Sequence, residues 1–370
     1  MPEVSGNGKR KASDTGLYFS VVRRLPRDPI RFDLANAFAE FGRLERVSLR
    51  DAATARGFVE RVRGSVSRSL SNEALVHGLR TQAMFGALVV SLGKVDLLKE
   101  EDAGEIYASD AALKVPDFRL ILQDGSKMLV EVKNFYQRND PRRAFALSGD
   151  YLDGLVRYSG MMGCELFVAV YWARWNIWTL LPPDAFRIEG NRRRVDLPEA
   201  LRQSQMVRIG DYTIGTKFPL SLLMHADRNE PRIIGPDGAG TFTVSNVEVY
   251  CGGRLVIDAV ETRIATYLMF YGRWRYESEP KLVGNEIEAV EHRWVPEQDQ
   301  QQGFEIVGSL SEMFSTFYRF MTQEDGEVTR LQIEVTPGSL GQLIPENHKG
   351  DKLPPWRFRM HPAKREAKPD

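Results

Sequence analysis

The sequence predicts an α/β protein: a mixed sheet flanked by helices, laid down in the order α-β-β-β-α-β, with an additional α+β domain C-terminal to it. Three observations predict this. A helical repeat runs from residue 72 to 92 and stops at Gly93. Two apolar runs of strand length follow, joined by a Gly turn at 124–126. A second helical repeat over 146–162 then leads into β-rich runs at 164–172 and 175–181.

Taken in chain order, residues 1–15 are rich in Gly, Ser, Lys and Arg and predict a disordered tail. Residues 16–71 predict a mixed α/β segment with helices at 33–41 and 51–70. That segment resembles, in part, an RNA-recognition motif. It has Leu17-Tyr18-Phe19-Ser20-Val21-Val22, a helix ending Phe41-Gly42, then Arg56-Gly57-Phe58-Val59, with no clear fourth strand. Residues 72–182 predict the core. Leu75, Leu79, Phe85, Leu88 and Val89 give its first helix a 3.6-residue period, and a short strand follows near 95–107. Tyr151, Leu155 and Tyr158 sit at helical spacing on the second helix. Residues 183–240 are punctuated by Pro and Gly and predict a connecting region. Residues 241–345 predict the α+β accessory domain, with a strand pair near 241–256, helices near 258–271 and 308–322, and a strand at 330–335. Residues 346–370 predict a tail.

Composition excludes several classes. The chain has 370 residues, 42% of them hydrophobic, which suits a globular protein with a sizeable core. Its two cysteines, Cys164 and Cys251, make neither a disulfide framework nor a zinc site. No secretory leader and no unbroken apolar run of about 18 residues is present, so the expectation is a cytoplasmic protein without a membrane partner. The formal net charge is zero, so any nucleic-acid binding must come from local basic patches. The candidates are Arg56, Arg61, Arg63 and Arg68, then Arg138, Arg142 and Arg143, then Arg192-Arg193-Arg194.

The hairpin concentrates the chemistry. Its strands are Val115-Pro116-Asp117-Phe118-Arg119-Leu120-Ile121-Leu122 and Met128-Leu129-Val130-Glu131-Val132-Lys133. Residues two apart on a strand share a face, so Glu131 and Lys133 point the same way. A three-residue loop at 124–126 sets Asp117 opposite Lys133 and on that face, with Phe118, Leu120, Leu122, Met128, Val130 and Val132 on the other. A two-residue loop would turn Asp117 away. Two carboxylates on adjacent strands offer hard oxygens that suit Mg²⁺, which takes one or two carboxylates and keeps several waters. A lysine beside them can orient water or stabilise charge developing on a phosphate.

Pro116-Asp117 followed by Glu131-Val132-Lys133 on the next strand resembles the PD-(D/E)XK nuclease superfamily, over roughly residues 70–180. The resemblance implies a restriction-endonuclease-like or resolvase-like core. It also implies a Mg²⁺- or Mn²⁺-dependent endonuclease or other hydrolase cutting DNA, in bacterial defence, restriction or DNA repair. Asp117 and Glu131 would ligate the metal, Val132 would lend its backbone carbonyl, and Lys133 would position the attacking water. The superfamily commonly adds an acid from the preceding helix. Gln82 stands at the expected position and Glu73 nine residues before it. Arg138, Arg142 and Arg143, with Tyr136, follow Lys133 closely enough to touch substrate. A homodimer would suit double-strand cutting by one site per chain. The missing helix acid favours a rival, a catalytically silent fold that binds nucleic acid or a protein. The aromatic and Arg content favours a second rival, an RNA-binding or RNA-cleaving protein.

Overall fold

The computed structural model describes residues 33–101, 106–110, 112–298 and 301–363. The predicted N-terminal tail and the residue 17–22 signature lie outside the described residues. Two helices, α1 (Ala35–Glu45) and α2 (Ala52–Leu70), come first. The described part of this segment is helical rather than mixed. Arg56-Gly57-Phe58-Val59 lies within α2, where Phe58 packs on Phe38 and Phe41 of α1 at 5.2 and 5.6 Å between ring centroids. An aromatic committed to a helix–helix contact cannot serve a strand platform for RNA.

The core follows as α3 (Glu73–Leu92), β1 (Val95–Glu100), β2 (Phe118–Leu122), β3 (Lys127–Phe135), β4 (Phe145–Ser148), α4 (Gly149–Met162), β5 (Glu165–Trp172) and β6 (Ile177–Leu181). Asn72 caps α3 by accepting from the Leu75 N–H at 3.1 Å, and Gly93 ends it in the left-handed conformation at φ 73°. By length and apolarity α3 would also suit a membrane span. Here Met84, Phe85, Leu88 and Val89 are fully buried against the sheet instead. The sheet order is β1-β2-β3-β5-β6, with β3 and β5 parallel and the other pairs antiparallel. This is a mixed sheet with α3 on one face and α4 on the other.

Strand alternation assigns the faces. Phe118, Leu120, Met128, Val130 and Val132 pack with α3. Leu129, Val168 and Val170 pack with Leu152 and Leu155 of α4. Each large aliphatic side chain buried this way contributes roughly 1.5–3 kcal/mol. The predicted helix at 146 starts later, because Phe145–Ser148 pairs with Arg192–Val195 before Ser148 caps α4 at the Tyr151 N–H, 3.1 Å away.

The rest of the chain departs from the predicted domain plan. Residues 183–240 are not a connection. Leu220–Ala226 is the central strand of a five-stranded antiparallel sheet, between Val244–Cys251 and Glu286–Val295. Residues 346–370 are not wholly a tail either. Trp356–Phe358 pairs with Thr213–Thr216, and Leu353 is fully buried. The core on the α3 side runs on into Ile264 and Leu268 of the helix Ala259–Tyr271 and Met313, Phe314 and Tyr318 of the helix Leu310–Thr322. No strand forms at 330–335. There Ile333 and Val335 pack on that core, and the Leu331 carbonyl accepts from the Tyr318 hydroxyl at 2.7 Å.

Candidate active site

The β2–β3 turn is Gln123–Gly125, one residue earlier than expected. Leu122 N–H donates to the Ser126 carbonyl and Gly125 N–H to the Leu122 carbonyl, both at 2.9 Å, with Gly125 at φ 82°. The register runs Phe118↔Val130 and Leu120↔Met128, so its continuation sets Asp117 opposite Glu131 rather than Lys133. The slip is an even number of residues, so every side chain keeps its face.

β2 begins at Phe118, and the Asp117 carboxylate takes up the next N–H of β3. Its Oδ2 accepts from Val132 N–H at 2.6 Å. The Val132 carbonyl leaves the strand on the same side as that N–H. Glu131 is 2% exposed. Its Oε1 accepts from the Tyr151 hydroxyl at 2.7 Å and forms an ion pair with the Lys133 ammonium. Lys133 Nζ also donates to the Tyr151 hydroxyl at 3.4 Å and lies 4.8 Å from the centroid of that ring. Burial alone would lower the Lys133 pKa. The charge of Glu131 and its hydrogen bond, with Tyr151 and Asp117, outweigh burial and hold it above the ordinary lysine value. Burial and the Glu131 charge push the Tyr151 hydroxyl up to about 12, so it remains a donor at neutral pH.

A third carboxylate joins the row from β1. Glu100 pairs with Phe118, and Glu101 N–H donates to the Asp117 carbonyl at 2.8 Å. Glu101, Asp117 and Glu131 therefore sit side by side across three adjacent strands. Glu101 Oε1 accepts from the Tyr158 hydroxyl at 2.7 Å and pairs with Arg119. Its buried Oε2 has no hydrogen-bond partner, and Lys99 Nζ stands 3.7 Å away. Burial, then the Glu101 hydrogen bond, pushes Tyr158 up to about 12. Seven residues of helix advance about 10.5 Å. Two strand spacings amount to roughly 9.6 Å. Tyr151 and Tyr158 of α4 thus match the separation of the two glutamates they hold.

Gln82 and Glu73 do not join this row. They sit on α3, which packs on the opposite, apolar face of the hairpin. Gln82 shares the side of α3 that carries Phe85 and Val89, and neither residue makes any of the hydrogen bonds or ion pairs that tie the acids together. The sequence missed Glu101, Arg119 and the two tyrosine hydroxyls as site groups. The available signals were Lys99-Glu100-Glu101 ending a strand, and two tyrosines seven residues apart on the next helix. Tyr136, Arg138, Arg142 and Arg143 lie exposed on the loop that leaves β3. Of the other basic runs, Arg193 and Arg194 meet Asp153 and Glu189, and Arg61 and Arg63 meet Glu45 and Glu60.

Among the described residues, no three or more His, Cys, Asp or Glu side chains form a cluster that could hold a metal by themselves. Asp117 and Glu131 on facing strand positions still make a hard-oxygen pair of the kind that binds Mg²⁺ with water completing the shell. Glu101 in the same row is countered by Arg119 on Oε1 and by Lys99, 3.7 Å from Oε2.

No protein-family model matches the chain. No curated protein matches it. Among solved structures, the chain is similar to Hjc, a Holliday junction resolvase from the archaeal hyperthermophile Archaeoglobus fulgidus. The identity is 18% over 30% of this chain and 84% of that one, with a TM-score of 0.25.

Proposed function

We propose that this chain is a nuclease that hydrolyses DNA phosphodiester bonds with a divalent cation, Mg²⁺ or Mn²⁺, held by Asp117 and Glu131. The observation that carries the reading is the Asp117–Glu131–Lys133 face, with Lys133 fixed by both Glu131 and Tyr151. When bound, such a cation supplies Lewis-acid polarisation of the phosphoryl group. The chain's own residues supply the rest. Lys133 stays protonated at neutral pH, so it acts as a fixed cation and donor rather than as a base. It can orient water or stabilise charge developing on the phosphate. Tyr151 keeps Glu131 and Lys133 in register without neutralising either.

Wild-type protein and the Asp117→Asn and Lys133→Met variants, each with Mg²⁺, Mn²⁺ or EDTA, would be assayed on linear, supercoiled and single-stranded DNA, with RNA alongside. Metal-dependent cleavage of DNA by the wild type alone supports the reading. Cleavage of nothing, or equal cleavage by Lys133→Met, refutes it. A second reading, a silent nucleic-acid binder, is favoured by the double occupation of Glu131 Oε1 and by Glu73 of α3 standing apart from the row. It requires that calorimetry show no divalent-cation binding that Asp117→Asn abolishes.

A further inference from the structure

Two loops meet just beyond the carboxyl ends of the parallel strands β3 and β5. Phe135 pairs with Trp172, and Ala173 N–H donates to the Phe135 carbonyl at 3.0 Å. The first loop is held from within. The Gln137 side chain is fully buried, and its Nε2 donates to the carbonyls of Pro141 and Arg143 at 3.0 and 3.2 Å. The second loop is tied to the first by Arg174, whose Nη1 donates to the carbonyls of Gln137 and Arg138 at 3.2 and 3.5 Å. The two loops are therefore tied to one another by hydrogen bonds.

Both loops are rich in arginine. Arg138, Arg142, Arg143 and Arg174 are all exposed, and among the described residues none makes an ion pair with a carboxylate. Arg143 instead lies 5.7 Å from the Phe135 ring centroid. Several arginines of the same domain do carry such pairs: Arg119 with Glu101, Arg157 with Asp110, Arg193 with Asp153, Arg208 with Glu165. Two large aromatics accompany the four guanidinium groups, of which that of Arg174 already donates to two loop carbonyls. Tyr136 is 58% exposed and Trp175 is 46% exposed, whereas Phe135 and Trp172 beside them pack edge to face in the core. Guanidinium groups without acid partners suit phosphates. Exposed rings suit the faces of unpaired bases, which a duplex keeps stacked. Tyr136 follows Phe135, the last residue of the strand that carries Lys133.

We propose that these two loops form a binding track for a single-stranded DNA segment leading to the Lys133 face, with Arg138, Arg142, Arg143 and Arg174 on the backbone and Tyr136 and Trp175 on the bases. The inference rests on the nuclease reading for its substrate, but its test needs no cleavage.

Binding of a fluorescent oligothymidylate of roughly 12 nucleotides, a length within the range of single-strand sites, would be followed by anisotropy in EDTA, on full-length protein. The duplex and the RNA of the same sequence would be run in parallel. The wild type should prefer the single DNA strand, and strand binding should quench Trp175 fluorescence. The Arg138→Ala/Arg142→Ala protein should lower the slope of log affinity against log salt by about 1.4, the value for two single-strand phosphate contacts. Tyr136→Ala and Trp175→Ala should each weaken strand binding roughly ten-fold while leaving the salt slope unchanged. Arg228→Ala, an exposed arginine remote in sequence and paired with Glu288, should change nothing. Unfolding midpoints equal to wild type establish that each variant is folded. An unchanged affinity and slope in the arginine variant, an unchanged affinity in both aromatic variants, or tighter binding of duplex or RNA overturns the proposal. Cleavage without this binding pattern would leave the nuclease reading standing and the track refuted. The binding pattern without any cleavage would do the reverse.

Discussion

Removing the Lys133 ammonium should expose how strongly the site depends on its buried charge. Glu131 is 2% exposed, and its Oε1 is held by one cation and one hydroxyl. Lys133→Ala leaves the Tyr151 hydrogen bond and no counter-charge on that oxygen. Breaking a buried pair from one side commonly costs about 3–5 kcal/mol. The Lys133 side chain is 30% exposed, so solvent screens part of the interaction and about 2–3 kcal/mol is expected at neutral pH. The pH dependence distinguishes this from lost packing. In the wild type the folded-state pKa of Lys133 is raised. Its contribution is therefore complete below the unfolded value of about 10.4 and is lost as pH rises through the folded one. The variant buries a carboxylate without a counter-ion, and that penalty exists only while the carboxylate is ionised, so the gap to wild type should be small in acid, at about pH 4, and full by pH 8. Urea unfolding at both pH values measures it. Lys133→Ala/Glu131→Gln should recover most of the loss, because the amide oxygen still accepts from Tyr151 while the stranded charge is gone. Equal losses at pH 4 and pH 8, or a double variant whose loss is the sum of the two single ones, would refute the reasoning.

Asp117→Asn should abolish metal-dependent cleavage yet unfold within about 1 kcal/mol of wild type, because the amide oxygen can keep the Val132 N–H bond; Asp117→Ala should cost about 1–3 kcal/mol more, and urea midpoints separate them. Asp211 is buried at the first turn of the helix Leu310–Thr322, and burial, against hydrogen bonds from Ser311, pushes its pKa up to about 7. The folded chain holds that proton after the unfolded chain has released it, so stability falls between about pH 4 and pH 7, by on the order of 4 kcal/mol from this group. Asp211→Asn should flatten that part of the pH–stability curve measured by thermal melts. Gly154→Ala would set a Cβ 2.6 Å from the Ala112 carbonyl oxygen and 2.7 Å from Lys114 Cγ, so it should cost about 1–3 kcal/mol despite alanine's better helix propensity, with hydrogen exchange rising in residues 112–116.

Local periodicity made much of the core legible. The apolar repeat and Asn72 and Gly93 at its ends mark α3, and the alternation of Phe118, Leu120 and Leu122 against Met128, Val130 and Val132 marks the hairpin. The register was off by two because the turn closes at Leu122 and Ser126, a choice between neighbouring loops that composition does not make. Glu101 stayed hidden for a different reason. Its place beside Asp117 follows from pairing across the long connection between β1 and β2, which no local pattern reports. Gln82 stands off the acidic row because the helical period that identifies α3 also turns residue 82 to the side of Phe85 and Val89, which pack on the apolar face of the sheet. The second sheet was largely invisible, since Leu220–Ala226 finds its partner in Glu286–Val295, far along the chain.

The same helix that covers the β3–β5 face also determines how charge is handled at its polar end. Leu152 and Leu155 of α4 bury apolar area against Leu129, Val168 and Val170, which fixes the helix over the sheet. Tyr151 and Tyr158 then reach Glu131 and Glu101 with hydroxyls that donate but carry no charge. A lysine or arginine at either position would satisfy the carboxylate equally well as a hydrogen-bond donor, yet would cancel its charge. With tyrosines, the negative potential of the row is opposed by Lys133 and Arg119, with Lys99 farther off. Three cations therefore stand against the three carboxylates of the row, and the tyrosines add hydrogen bonds without adding charge. The packing of α4 therefore does two jobs through alternate positions of one helix. Its leucines stabilise the fold, and its tyrosines hold the two buried carboxylates in place.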